Sequence, residues 1–173
     1  MSEIKKKIQG KESIFWGVEM SEWFTENDDG VLNFGYKIED HLFSKKSKFQ
    51  KVDVYKTKAY GKILVLDDCI MMSEADEFVY HEMISHIPVC YHSNPKRVLV
   101  IGGGDGGTLR ELSKHPSLEK IVLCEIDKLV IDVSKEYFPN VACGFDGPRV
   151  EVKVADGIDY IKKNKNYFDI VIV

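Results

Sequence analysis

The 173-residue sequence is short of cysteine and proline, with 4 and 5 residues, and it has no long apolar run. Cys69, Cys90, Cys124 and Cys143 form no CxxC pair, which excludes a zinc ribbon and a disulfide framework. They read as reduced, mostly buried thiols of a cytoplasmic protein. The longest aliphatic runs, Val98-Leu99-Val100-Ile101 and Ile170-Val171-Ile172-Val173, fall far short of the ~20 residues a membrane helix needs. The Lys-rich N-terminus is followed by no apolar segment, so a secretory signal is not expected. There is no excess of basic charge either: 24 Lys and Arg against 28 Asp and Glu leave a net charge of −4. Neither nucleic acid nor an anionic membrane is therefore an expected partner.

What is present has two rhythms. Over residues 32–73 apolar positions alternate, as in Leu32, Phe34, Tyr36 and Ile38, and then in Val52 and Val54 around Asp53. Turn residues at Tyr60-Gly61 and Asp67-Asp68 separate the stretches, which predicts an antiparallel β region. Ser73-Glu74-Ala75-Asp76 is close to a capping box and predicts a helix over 75–88 that buries Val79, Met83 and Ile87. Beyond the polar stretch His92-Ser93-Asn94-Pro95 the pattern becomes β-α-β-α-β. Strands are predicted at 97–101, 121–125, 150–154 and 168–173, with helices after the glycine loop, over 127–138 and over 157–164. The expected fold class is α/β: an N-terminal antiparallel β domain (1–74), then a Rossmann-like, methyltransferase-type parallel-sheet domain (75–173). The last strand is expected to be buried on both sides, so a chain truncated after its fourth strand is the expectation.

Gly102-Gly103-Gly104-Asp105-Gly106-Gly107 satisfies G-x-G-x-x-G between a strand and a helix, which raises it above a bare pattern match. Glu125 ends the next strand, where an acid can accept hydrogen bonds from ribose hydroxyls, and Asp156 follows the third strand, where it can meet an adenine edge. Taken singly, each acid has a second, less favoured reading as an exposed strand end. Three at successive carboxyl ends of parallel strands point to one crevice. Asp105 argues against a dinucleotide, because it sets a carboxylate where a pyrophosphate would lie. A sulfonium nucleoside with an amine-bearing tail suits the loop. His81 and His86 are five residues apart, which is the wrong spacing for two zinc ligands on one helix face. His41, His92 and His115 read as surface or loop residues, and Lys5-Lys6-Lys7 and Lys162-Lys163 as solvated faces.

Several of these segments together resemble the spermidine synthase family of polyamine aminopropyltransferases. They are the GGGDGG loop, Leu123-Cys124-Glu125-Ile126-Asp127, and Asp76-Glu77-Phe78-Val79-Tyr80-His81-Glu82-Met83. Ser47-Lys48-Phe49-Gln50, residues 60–67 and Ser134-Lys135-Glu136-Tyr137-Phe138 belong to the same set. The resemblance runs from about Trp23 to Val173. It implies transfer of the aminopropyl group of decarboxylated S-adenosylmethionine to putrescine, giving spermidine and methylthioadenosine. It also implies a homodimer, no metal and no permanently bound cofactor. By the same resemblance Gln50, His81, Gly102, Gly104, Asp105, Glu125, Asp156 and Gly157 bind the nucleoside co-substrate, and Tyr80 contacts the diamine. Within that set Glu125 holds the ribose, Asp156 the adenine amine and Asp105 the aminopropyl amine. The family often has Gln where this chain has His81.

The sequence departs from the family pattern in three places. The family's catalytic base is an aspartate expected one residue after Val173, so the chain as written is expected to be inactive alone. Asp68 and Met71 stand where Gly and Gln are common; Asp tolerates the left-handed turn, and Met71 bears on acceptor preference. No Trp-Pro-Gly follows Trp23-Phe24. Two other readings of the same residues are a putrescine N-methyltransferase-like enzyme and a non-catalytic nucleoside-binding fragment or regulatory partner.

Overall fold

The computed structural model of the chain describes residues 23–28 and 30–173. Lys5-Lys6-Lys7 lies outside the described residues. Five strands form an antiparallel meander: β1 (Trp23–Asp28), β2 (Leu32–Lys46), β3 (Lys51–Thr57), β4 (Gly61–Leu66) and β5 (Cys69–Ser73). β1 was not foreseen, because its residues show no clean alternation. It is recruited by pairing along β2, from Trp23 opposite Lys37 to Asp28 opposite Leu32. β2 also runs on to Lys46, past register shifts between Ile38 and Asp40 and between His41 and Phe43 that break the period-two pattern. The tight turn into β5 holds Asp67 and Asp68 at φ 47° and 65°, the left-handed pair that a two-residue hairpin requires.

A four-stranded parallel sheet follows, in the order β8-β7-β6-β9. Its strands are β6 (Arg97–Ile101), β7 (Lys120–Glu125), β8 (Val150–Val154) and β9 (Ile170–Ile172). The crossovers carry α2 (Gly107–Leu112), α3 (Lys128–Tyr137), the short α4 (Pro139–Ala142) and α5 (Gly157–Lys163). Alternate residues of each strand feed opposite faces. Val98, Val100, Ile121 and Leu123 join Leu109 and Leu112 of α2 in one core. Leu99, Val122 and Cys124 meet Tyr160 and Ile161 of α5 in another. This is the doubly wound α/β arrangement expected from the alternating pattern. A third core joins the two sheets, as Val52, Val54, Leu64 and Met72 of the meander pack on Val130 and Val133 of α3.

α1 (Glu77–Tyr91) differs from expectation. Val79, Met83 and Ile87 are 55%, 57% and 56% exposed, while Glu77, His81, Ser85 and Val89 are buried. Both sets have helical spacing, so periodicity alone favoured the apolar one. The polar stripe wins because Arg110 and Asp105 meet its charges from below. The start also shifts: the Ser73 hydroxyl accepts from Ala75 N and donates to Asp76 Oδ1 at 2.6 Å, closing a turn rather than a capping box. Asp76 is the N-cap, with no side-chain cap. The cysteines are corrected too, since only Cys124 is buried and Cys69, Cys90 and Cys143 are exposed. Among the described residues no helix is long and apolar enough to cross a membrane.

Candidate active site

The site is built at the carboxyl ends of β6, β7 and β8. Gly102, Gly103 and Gly106 have φ of 82°, 72° and 88°, a left-handed path that side chains resist. It turns the chain from β6 into α2 within a few residues. Gly104 has ordinary φ and is required by space instead: a Cβ there would lie 3.1 Å from Glu125 Oε2 and 3.0 Å from Val130 Cγ1. The glycine loop therefore lies directly against the acid that ends β7.

Glu125 is buried, and its Oε1 accepts from Asp127 N at 2.8 Å. Burial pushes its carboxyl above the ordinary value. Backbone N–H groups of Asp127, Ile126 and Gly104 oppose that shift, and the Asp127 carboxylate adds to it. Asp127 is itself a junction. Its Oδ1 caps α3 through Leu129 N, and its Oδ2 accepts from Ser47 Oγ at 2.7 Å and from Gln50 Nε2 at 3.2 Å. Gln50 is thus tied to the end of β7 across the joint between the sheets. Asp156 is exposed at the end of β8, where Oδ1 accepts from Ile158 N at 2.8 Å and Asp159 N at 3.2 Å as the N-cap of α5. Gly157 packs on Ile101, whose side chain would collide with any Cβ.

Asp105 and His81 meet on the other side of the loop. Asp105 Oδ1 accepts from Gly107 N at 2.7 Å and lies 3.0 Å from His81 Nε2. His81 Nδ1 lies 2.5 Å from Glu77 Oε2, and Glu77 receives both terminal nitrogens of Arg110 at 2.8 and 2.9 Å. His81 faces a carboxylate at each ring nitrogen, an arrangement that favours the doubly donating imidazolium. Burial disfavours that charge, but Asp105 and Glu77 outweigh it and hold His81 above its ordinary value. Burial likewise opposes charge on Asp105 and Glu77. The His81 bond still holds Asp105 below its ordinary value, and Arg110 with His81 does the same for Glu77. The α1 side of this network opens on a groove of about 550 Å³ lined by Met71, Met72, Asp76, Tyr80, His81 and Met83, among others. Tyr80 is exposed there, with its ring edge-on to His81.

The residues singled out in the sequence fall in this one region. Gly102, Gly104, Asp105, Glu125, Asp156 and Gly157 line the strand ends, Gln50 joins through Asp127, and His81 and Tyr80 flank the loop from α1. Sequence reasoning missed Glu77 and Arg110. The four-residue spacing of Glu77 and His81 was the available signal. His115 lies in the loop after α2, as expected, and is partnered there: its Nε2 lies 2.8 Å from Nδ1 of His86, whose Nε2 faces buried Glu111 at 3.2 Å.

Comparison with known proteins agrees with this fold. Residues 77–173 match the spermine/spermidine synthase domain, and residues 22–74 match the spermidine synthase tetramerisation domain. The chain is 49% identical over 154 residues, 89% of its length, to a polyamine aminopropyltransferase of Thermoanaerobacter sp.. It is 41% identical over all 173 residues to that of Thermotoga neapolitana. It spans 56% of each of these relatives, or about half their length. A crystal structure of spermidine synthase from Thermotoga maritima superposes with a TM-score of 0.85 at 40% identity, covering 96% of this chain and 57% of that one. A spermidine synthase in complex with the transition state analogue AdoDATO gives the same TM-score and identity over 55% of its chain. With one family domain matched over more than half its length, the chain belongs to the spermine/spermidine synthase family.

Proposed function

We propose that this chain carries the nucleoside-binding part of a cytoplasmic spermidine synthase, which moves an aminopropyl group from decarboxylated S-adenosylmethionine to putrescine. The observation that carries the reading is the set of acids around one glycine loop, at the ends of three successive parallel strands. Glu125 accepts from the ribose hydroxyls, Asp156 from the adenine amine, and Asp105 from the tail ammonium. Gln50 steadies the ribose side through Asp127, and Tyr80 contacts the diamine in the groove. Gly102, Gly104 and Gly157 let the backbone approach the nucleoside. The AdoDATO complex of a similar enzyme supports the choice of ligand class.

The chemistry is an in-line displacement. The putrescine nitrogen forms a bond to the carbon beside the sulfonium, the C–S electron pair returns to sulfur, and methylthioadenosine leaves neutral. Two cationic substrates must be held close together, and acids around the site offset their repulsion. The attacking amine must also lose a proton, since an amine of pKa near ~10 is charged at pH 7. By resemblance that base is an aspartate, and Asp105, Glu125 and Asp156 are assigned binding.

The division at residue 74 and a homo-oligomer, a dimer in its simplest form, belong to the same reading. The name of the family domain matching residues 22–74 supports assembly through the N-terminal sheet. Incubating the whole enzyme of which this chain is the nucleoside-binding part with decarboxylated S-adenosylmethionine and putrescine, and quantifying products by mass spectrometry, tests the function. Spermidine and methylthioadenosine in equal amounts are expected. Methylated putrescine from intact S-adenosylmethionine would contradict it.

A further inference from the structure

Asp105 already has an imidazole partner. His81 Nε2 sits 3.0 Å from its Oδ1, in the place where the aminopropyl reading puts a ligand ammonium. The imidazole is fixed from every side. Glu77 of α1 holds Nδ1, and Arg110 of α2 holds Glu77 as a carboxylate while also bonding Glu111. Tyr80 stands against the ring edge. The backbone of Gly107 packs so closely on the ring that a Cβ there would collide with it. His81 is therefore unable to swing away when a second cation arrives.

We propose that His81 is a proton-coupled placeholder for the aminopropyl ammonium: in the free protein its imidazolium neutralises Asp105, and a cationic tail arriving at Asp105 expels one proton from His81. Two positive charges beside one carboxylate repel each other, and the imidazole is the one that can become neutral. The tail amine, with a pKa near ~10, keeps its proton at neutral pH. Glu77, locked by a bidentate guanidinium, is a poor acceptor, so the proton passes to water in the groove that His81 lines. Neutral His81 keeps its Nδ1–H bond to Glu77 and turns Nε2 into an acceptor. That acceptor faces Asp105, where a donor from the ligand now stands. Glu77 and Arg110 are positioning residues that hold the ring in place and set the pH at which it discharges.

This inference rests on the aminopropyl reading above, so its test separates the two. Titration calorimetry in two buffers of different ionisation enthalpy counts the protons released on binding. Three nucleosides are compared at pH 7–8: decarboxylated S-adenosylmethionine, decarboxylated S-adenosylhomocysteine (the tail ammonium without the sulfonium), and methylthioadenosine, which has neither charge. The two amine-bearing ligands are expected to release protons on binding, and methylthioadenosine none. By linkage their affinity rises by up to about tenfold per pH unit across that window, while that of methylthioadenosine stays flat. His81→Gln abolishes the release, and Glu77→Gln moves its maximum to lower pH. Equal proton counts for all three ligands would overturn the placeholder while leaving nucleoside binding intact. Failure of every nucleoside to bind would overturn it together with the functional reading.

Discussion

Around the glycine loop each acid has a different partner, and the partner decides what it can do. Asp105 is poised for a cation because the His81 ring already bonds it. Asp105→Asn should weaken decarboxylated S-adenosylhomocysteine by about tenfold to a hundredfold, the worth of a charge-assisted bond, and methylthioadenosine much less. Equal losses in calorimetry would remove Asp105 from tail binding. Glu125 is held above its ordinary value by burial, so on acidification it loses its charge earlier than an ordinary carboxyl. Methylthioadenosine affinity is therefore expected to fall as pH drops through that raised value, with a flat profile for Glu125→Gln. Asp105, Glu125 and Asp156 were legible in the sequence because strand ends and glycine loops have fixed offsets. Glu77 and Arg110 were not, because their role depends on a contact between α1 and α2 that no local pattern encodes.

At the scale of elements, α1 shows how a buried charge network can override an apolar stripe. Val79, Met83 and Ile87 share helical spacing with Glu77, His81 and Ser85, and only tertiary partners break the tie. Arg110→Met should therefore cost about 3 kcal/mol in urea denaturation, because it leaves Glu77 buried without its guanidinium. A change below about 0.5 kcal/mol would mean that the network does not hold α1 in place. The turn into α2 makes the same point with backbone. Gly106 has φ 88°, and a Cβ there would lie 2.7 Å from the Phe145 ring and 3.1 Å from Ala142 Cα. Gly106→Ala should cost about 2–4 kcal/mol, adding strain to overpacking. The strands of the parallel sheet were readable as buried apolar runs. β1 was not, since its place comes from pairing with β2 rather than from its own pattern.

Across the whole molecule, the core that joins the meander to α3 makes the two sheets cooperate, and Ser47 and Gln50 tie the N-terminal half to Asp127 beside Glu125. Two histidine networks give opposite pH responses. Burial, then His86 and Arg149, hold His115 below its ordinary value. Its contribution to stability is present above pH ~6.5 and is lost as pH falls. His81 lies above its ordinary value, so its contribution is present below pH ~6.5 and is lost as pH rises through the raised value. Thermal melts across pH should show the acid limb softened by His115→Gln and the alkaline limb flattened by His81→Gln. The most direct measurement is a crystal structure of the protein with decarboxylated S-adenosylmethionine. The ribose hydroxyls are expected within hydrogen-bond distance of Glu125 and the tail ammonium at Asp105 beside His81. A nucleoside bound away from the strand ends, or one whose tail points away from Asp105, would contradict the account.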